Sequence, residues 1–113
     1  MYYVYVIRCS DNSLYTGYTK DIKKRITEHI TKDKKGAKYT KSHNVIKVEG
    51  LWTCDEKGVA MSFECFLKTL KKSQKEEIIN NFLKLYDYEY KYMDKITDDF
   101  KELYKLNEMI NGM

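Results

Sequence analysis

YVYVIRCSDNSLYTG, residues 3–17, decides how the rest of the chain folds. The alternating first run and the polar segment SDNSL predict two antiparallel strands joined by a hairpin. Successive side chains of a strand point to opposite faces, so Tyr3 and Tyr5 leave the same face of the sheet. Tyr15 and Gly17 share a face of the returning strand, which is expected to bring Tyr15 near Tyr5. Gly17 has no side chain and therefore admits the close approach of a ligand or another backbone.

An amphipathic helix is predicted after the hairpin. Thr19 is expected to cap its N-terminus, because threonine side chains accept hydrogen bonds from the first turn of a helix. The apolar stripe of this helix repeats at four-residue spacing, at Ile22, Ile26 and Ile30. At 100° per residue, Arg25 and His29 border the stripe. Both side chains are therefore expected to reach over the sheet toward the tyrosines.

The middle of the chain predicts a strand and then a helix. Residues 45–54, VIKVEGLWTC, are rich in β-branched and aromatic residues, which favours a third strand. Residues 59–70 have helical apolar spacing, and Glu64 lies at the edge of their apolar face. The ordinary role of such a glutamate is an ion pair with Lys68 one turn later, which contributes only about 0.2–0.5 kcal/mol.

The last third of the chain predicts two further helices. The first covers residues 74–85, and the second is amphipathic and runs from Met93 to Ile110. Between them, residues 86–92 alternate tyrosine with charge, which leaves strand and helix both open. We divide the chain into a domain of residues 1–86 and an amphipathic helical extension of residues 87–113. The extension either docks on the domain or forms a homodimer with another copy, and docking is favoured because a sustained coiled coil needs more heptads.

The sequence resembles the GIY-YIG nuclease superfamily, most closely its small stand-alone members. YVY at residues 3–5 is similar to the first motif with tyrosine for the leading glycine, and YTG at residues 15–17 is similar to the second. The resemblance continues through GAKYT and covers roughly residues 2–80. One departure is Tyr18, which stands where some members have a lysine. Three further positions match the family in order and spacing: Arg25, His29 and Glu64.

This resemblance implies a fold, a cofactor and a site. The fold is α/β (α+β), a small three-stranded, mainly antiparallel sheet flanked by helices, GIY-YIG-like over residues 1–86, with the C-terminal helix added. Glu64 is implied to bind a divalent metal, Mg²⁺ before Mn²⁺, because a carboxylate suits a hard cation. The implied catalytic residues are Tyr5, Tyr15, Arg25, His29 and Glu64.

Charge along the chain points to a polyanionic partner. Residues 1–50 carry 11 basic against 5 acidic residues, whereas residues 87–113 carry 4 against 7. Such a basic half favours nucleic acid, DNA first with RNA not excluded, although lysine-rich surfaces also serve solubility. Lysines suit phosphates and a tyrosine can stack on a base or sugar. The residues that we assign to nucleic-acid contacts are Gly17, Lys24, Lys35, Lys38, Tyr39 and Lys41.

Composition argues against several other classes of protein. A chain of 113 residues with 42% hydrophobic content is expected to form one small domain. It has no apolar run that could span a membrane and no signal-peptide pattern, so we expect a cytoplasmic protein without a membrane partner. The cysteines, Cys9, Cys54 and Cys65, are odd in number and have no CxxC spacing, which argues against a disulfide framework and a zinc site.

Two functions from different classes follow from these observations. The first is a metal-dependent endonuclease that hydrolyses DNA phosphodiester bonds, on branched or damaged DNA such as repair enzymes meet. The second is a nucleic-acid-binding module with the same fold and little or no activity. A protein-interaction adaptor that uses the acidic C-terminal helix is a weaker third. The presence of all the implied catalytic residues favours the enzyme.

Overall fold

The predicted hairpin is present and supplies two of the four described strands of a mixed α/β fold. The structure, a computed structural model, describes residues 1–31, 43–88, 91–92 and 94–112. Strand β1 spans Tyr2–Cys9 and pairs antiparallel with β2, Leu14–Thr19. In the connecting loop Asn12 has a φ of 70°, a left-handed conformation that asparagine tolerates better than most residues.

The sheet has one strand more than the three that we predicted, which is a correction. Strand β3 spans Val45–Cys54, as expected, and pairs antiparallel with β1. Strand β4 is only two residues long, Thr97–Asp98, and pairs with the outer edge of β3. The order of the four described strands is β2-β1-β3-β4, so β1 and β3 are central and β2 lies at one edge.

Helices cover both faces of this sheet. The first three are α1, Ile22–Thr31, then α2, Lys57–Thr69, and α3, Lys72–Asn80. A 3-10 helix follows at Phe82–Asp87, and α4 spans Phe100–Asn111. Helices α1 and α4 pack on the face that carries Tyr5, which we call the α1 face. Helix α2 packs on the opposite face, the α2 face, against Val4 and Trp52.

Strand alternation produces two separate cores. On the α1 face the core is built of Tyr5, Ile7, Ile22, Ile26, Val48, Leu51 and Leu106. On the α2 face the larger core includes Val4, Val6, Trp52, Cys54, Ala60, Phe63, Leu67 and Ile78. Burial of these apolar side chains, at about 25 cal/mol per Å², is what fixes each helix on its face. The period-2 pattern of residues 3–7 is therefore confirmed, because its two halves enter different cores.

Two helix boundaries differ from the predicted ones. Asp21, rather than Thr19, caps α1, because its Oδ1 accepts the backbone N–H of Lys24 at 3.2 Å, whereas Thr19 ends β2. The predicted helix over residues 74–85 is wrong as one piece. It is interrupted at Asn81, whose side chain caps the following 3-10 helix by accepting the N–H of Leu83 at 3.0 Å. Leu83, inside the predicted helix, is consequently 62% exposed.

The C-terminal segment passes from one face of the sheet to the other. Ile96 is buried on the α2 face and Leu106 on the α1 face. The chain must therefore cross the edge of β3 between them, and the extended residues Thr97 and Asp98 pair with β3 at that crossing. Our prediction of a continuous helix from Met93 is wrong for this reason, since α4 begins only at Phe100. Met93 itself lies outside the described residues. Of the segment 86–92, for which we left strand and helix open, residues 86–87 end the 3-10 helix and residues 89–90 lie outside the described residues.

Docking of α4 on its own sheet is confirmed. The side-chain amide of Asn107 accepts the N–H of Val48 at 2.8 Å and donates to its carbonyl at 2.9 Å. Asn107 thus satisfies both outward backbone groups of that β3 residue. Phe100 and Tyr104 stay about two-thirds exposed on α4. The homodimer through this helix and the division of the chain between residues 86 and 87 stay predictions. Within the part of the chain that the structure describes, no helix is both long enough and apolar enough to cross a membrane.

Candidate active site at the β2 edge

The side chain of Tyr5 lies across Gly17 of the neighbouring strand. The two residues are directly paired in the sheet. A methyl group added at Gly17 would sit 2.4 Å from the hydroxyl oxygen of Tyr5 and 2.6 Å from the ring carbon that bears it. The space that we expected a ligand or a second backbone to use is thus filled by Tyr5. A nucleic-acid contact at Gly17 itself stays a prediction.

The Tyr5 hydroxyl is held by His29 of α1. Tyr5 Oη lies 2.9 Å from His29 Nε2, and both residues are almost fully buried, with exposed fractions of 1% and 0%. Tyr15 approaches the same imidazole from the next strand, with ring centroids 5.4 Å apart in an edge-on arrangement. Tyr15 pairs with Ile7 rather than with Tyr5. The two motif tyrosines therefore converge on one histidine, as the sequence predicted for their shared face.

Arg25 completes this cluster. Its guanidinium is close enough to the Tyr5 hydroxyl to lower the pKa of that phenol, and it donates to Oε1 of Glu28 at 3.3 Å. Glu28 is 9% exposed, and a buried carboxylate is stabilised when it is paired with a cation. Sequence reasoning missed Glu28, although its position three residues after Arg25 on a helix was a signal for this pair.

Burial fixes the protonation of the cluster. Burial, helped by the positive charge of Arg25, lowers the pKa of His29 to about 4, so the imidazole is neutral at physiological pH. Burial also raises the pKa of Tyr5 well above its usual value; Arg25 lowers that pKa, while Tyr15 and Glu64 raise it. The neutral imidazole and the neutral phenol therefore share one hydrogen bond beside a fixed positive charge.

Glu64 lies on α2, which packs on the opposite face of the sheet. Its negative charge is the smallest of the influences that raise the pKa of Tyr5, whose hydroxyl lies over Gly17 of the edge strand β2. Glu64 Oε1 also lies 3.4 Å from Lys68 Nζ, and the Glu64 side chain is only 15% exposed. The ordinary ion pair is thus present, beside the predicted site.

The donor set suits one hard cation held partly by water and substrate. Among the described residues, no three His, Cys, Asp or Glu side chains are grouped so that they could hold a metal ion. Glu64 therefore offers a single carboxylate. Mg²⁺ keeps several waters and is often bound by one or two carboxylates together with substrate phosphates, so Glu64 fits that ion and does not fit a metal held by protein ligands alone.

The predicted nucleic-acid contacts fall into two groups. Lys24 is exposed in the first turn of α1, next to Arg25. The remaining predicted contacts lie outside the described residues: Lys35, Lys38, Tyr39 and Lys41.

Tyr18 stands at the position where some GIY-YIG proteins have a lysine. It packs on the α2 face and pairs with Val4.

Comparisons with known proteins agree with the family resemblance that the motifs indicated. The sequence profile of the GIY-YIG catalytic domain matches residues 1–80. The UPF0213 protein FN1575 of Fusobacterium nucleatum is 49% identical over 79 residues, which are 70% of this chain and 77% of that protein. The UPF0213 protein VNG_2274C of Halobacterium salinarum is 42% identical over 78 residues, 69% of this chain and 99% of the relative. The solution NMR structure of the UPF0213 protein BH0048 from Bacillus halodurans is 37% identical, covers 71% of this chain and 84% of its own, and has a TM-score of 0.44.

Replacement of Gly17 by alanine is expected to displace the Tyr5 ring. The added methyl group cannot remain 2.4 Å from the hydroxyl oxygen, and overpacking of this kind costs about 1–3 kcal/mol. Urea denaturation should show that loss for Gly17→Ala. The matched control is Gly58→Ala on α2, where a methyl group meets nothing within 4 Å, and alanine in a helix should stabilise by about 0.5–1 kcal/mol. Equal stability of Gly17→Ala and the wild type would contradict the contact.

Titration of His29 is expected to make the fold sensitive to acid. The folded-state pKa of about 4 lies below the unfolded value of 6.5, so the unfolded chain binds more protons between these values. The free energy of unfolding should therefore fall as pH falls from 6.5 to 4, by on the order of 3 kcal/mol. Urea denaturation at several pH values measures this. His29→Gln keeps a polar partner for Tyr5 but does not titrate, so its profile should be flatter; parallel profiles would contradict the assignment.

Proposed function

We propose, since this chain belongs to the GIY-YIG family and within it to the small UPF0213 proteins, that it is a metal-dependent endonuclease that hydrolyses DNA phosphodiester bonds. A nuclease-type function is what the family implies; the metal, the DNA substrate and its branched or damaged form are our proposal. The observation that carries it is the buried hydrogen bond of 2.9 Å between Tyr5 and His29, with the charges of Arg25 and Glu64 close enough to affect the pKa of Tyr5.

The paired tyrosine and histidine offer a route for the proton of the attacking water. A free tyrosine is almost entirely protonated at neutral pH, and burial raises the pKa of Tyr5 further. Tyr5 therefore serves best as a relay, which takes a proton from the water while its own proton passes to Nε2 of His29. The weak basicity of the buried imidazole improves when an anionic phosphate approaches, because nearby negative charge favours the imidazolium.

Tyr15 is the second candidate for the group that meets the water. Its side chain is partly exposed, whereas Tyr5 and His29 are covered. Tyr15 stacks edge-on against His29, so it touches the same imidazole from the accessible side. Either tyrosine can orient the water. They differ in their contact with His29: Tyr5 is hydrogen-bonded to it, whereas Tyr15 packs edge-on against it.

Arg25 is suited to the non-bridging oxygens of the phosphate. A guanidinium stays charged at all physiological pH values and presents several donors in a planar fork. Glu28 binds one side of this fork at 3.3 Å, and the side chain of Arg25 remains 25% exposed. Arg25 is thus held in place while its side chain stays partly exposed, the preorganised arrangement that stabilises charge in a transition state.

Glu64 would hold the divalent cation. A bound Mg²⁺ supplies charge neutralisation at the phosphate and the leaving oxygen. Glu64 now pairs with Lys68, whose side chain is 48% exposed against 15% for the glutamate. Only the lysine end of this pair is well exposed, so the ammonium group of Lys68 can return to water when a cation takes its place at the carboxylate.

The alternative is a nucleic-acid-binding module with little or no activity. The burial of Tyr5 and His29 favours it, because neither side chain meets solvent in this structure. Incubation of the purified protein with branched, nicked, single-stranded and duplex DNA, and with RNA, in Mg²⁺, Mn²⁺ and chelator separates the two functions. Cleavage that requires metal supports the enzyme. Binding without cleavage of any substrate supports the alternative.

The Glu64→Gln variant is expected to lose cleavage and keep binding. Glutamine has the same size but lacks the charge that holds the cation, so the rate should fall by more than about a hundredfold, beyond the usual 10–100-fold effect of a supporting residue. Affinity for DNA in chelator should be unchanged or higher, because one repulsive charge is removed. Glu108→Gln, at an exposed position on α4, is the matched control. Full activity of Glu64→Gln would rule out this metal site.

The Tyr5→Phe and Tyr15→Phe variants are expected to differ. Each removes only a hydroxyl group, so the residue that handles the proton should lose about 10²–10⁴ in rate, while the other loses little. Tyr5→Phe should also cost about 1 kcal/mol of stability, since it breaks the buried hydrogen bond to His29. Single-turnover cleavage and urea denaturation measure the two effects. Tyr104→Phe, at a residue that is 67% exposed, is the control, and unchanged rates in both test variants would refute the relay.

A further inference from the structure

Four lysines gather where α2 ends and α3 begins. Residues 68–75 read KTLKKSQK and contain no acidic residue. Helix α2 ends at Thr69 and α3 begins at Lys72, so a sharp turn brings the two helix ends together. We call this group, at the junction of the two helices, the lysine cluster: Lys68, Lys71, Lys72 and Lys75.

The lysine cluster starts at the candidate metal ligand. Lys68 Nζ lies 3.4 Å from Glu64 Oε1. Four residues of α-helix advance about 6 Å along the axis, while successive phosphates of one strand of a duplex advance about 3.4 Å. The cluster therefore begins within one or two nucleotides of a phosphate held at Glu64.

Acidic neighbours leave most of this charge uncompensated. The next acids along α3 are engaged elsewhere, Glu76 with Arg8 and Glu77 with the hydroxyl of Tyr88. Across the described ranges of the chain, no ion pair involves Lys71, Lys72 or Lys75. The first turn of α3 contains no acid either, and the positive end of a helix adds to the local potential.

Lys68 and Lys75 are close enough for their charges to interact. Lys75 is half-buried, and its pKa is lowered by burial and by the positive charge of Lys68. Like charges that are packed together oppose folding unless an anion compensates them. A solubilising surface would instead disperse its lysines among acids.

We propose that the lysine cluster binds the phosphodiester backbone of the nucleic acid on the side of Glu64 that faces the α2–α3 junction. This inference rests on the proposed function, because it assigns the path of the same substrate. The ligand is the polyanionic backbone and not the bases, since ammonium groups on flexible stems meet phosphates without reading sequence.

Salt dependence of DNA binding tests this proposal. Fluorescence anisotropy with a labelled duplex, in chelator and at several salt concentrations, gives the slope of log affinity against log salt for the full chain. Each lysine that meets a phosphate contributes about −0.9 to this slope. K71Q/K72Q/K75Q should therefore flatten the slope by about 2 to 3. K71Q/K72Q changes only exposed positions and should flatten the slope by about 2. This double variant controls for misfolding caused by the change at the half-buried Lys75.

A charge-matched control separates a specific path from a general effect of charge. K84Q/K101Q/K105Q removes three lysines that are exposed on the 3-10 helix and α4 and should leave the slope within about 0.5 of the wild type. The lysine cluster is overturned if K71Q/K72Q keeps the wild-type slope, or if both triple variants flatten the slope equally. The proposed function stands in either case. No DNA binding by the wild type at any salt concentration overturns both.

Discussion

The contact between the Tyr5 side chain and Gly17 is the constraint on which the rest of the site depends. Only a residue without a Cβ lets the phenol ring lie across the neighbouring strand. The ring then brings its hydroxyl over β2, where α1 supplies His29 as its hydrogen-bond partner. The first motif therefore supplies the phenol, and the second supplies the gap that directs it.

Electrostatics at this edge follow from unequal burial. The covered pair, Tyr5 and His29, is kept neutral, while the partly exposed Arg25 keeps its charge and is anchored by Glu28. Interactions between charges are stronger where water is excluded. A phosphate that arrives at this edge would therefore meet a fixed positive charge beside a proton acceptor, and its own negative charge would raise the basicity of His29.

Sequence reasoning succeeded where one local pattern determined the outcome. The alternation around Tyr5 and the four-residue spacing of the α1 stripe each depend on one element, and both are confirmed. It failed where distant segments compete. The apolar spacing after Met93 is helical, but burial of Ile96 and Leu106 on opposite faces forces an extended crossing. For the site, helix geometry predicted that His29 reaches toward the tyrosines, whereas Glu28 was missed because a glutamate beside a core stripe usually faces solvent.

The two edges of the sheet are treated differently, and this difference supports the position of the site. At the β3 edge, β4 pairs with residues near Trp52, and Asn107 satisfies both outward groups of Val48. A side-chain amide that mimics a strand in this way blocks addition of another chain, a usual hazard of open edges. At the β2 edge, no further described strand pairs with β2, and the polar groups of the candidate site collect there. Residues 97–111 thus cover the β3 edge, whereas the candidate site lies at the edge that no further described strand covers.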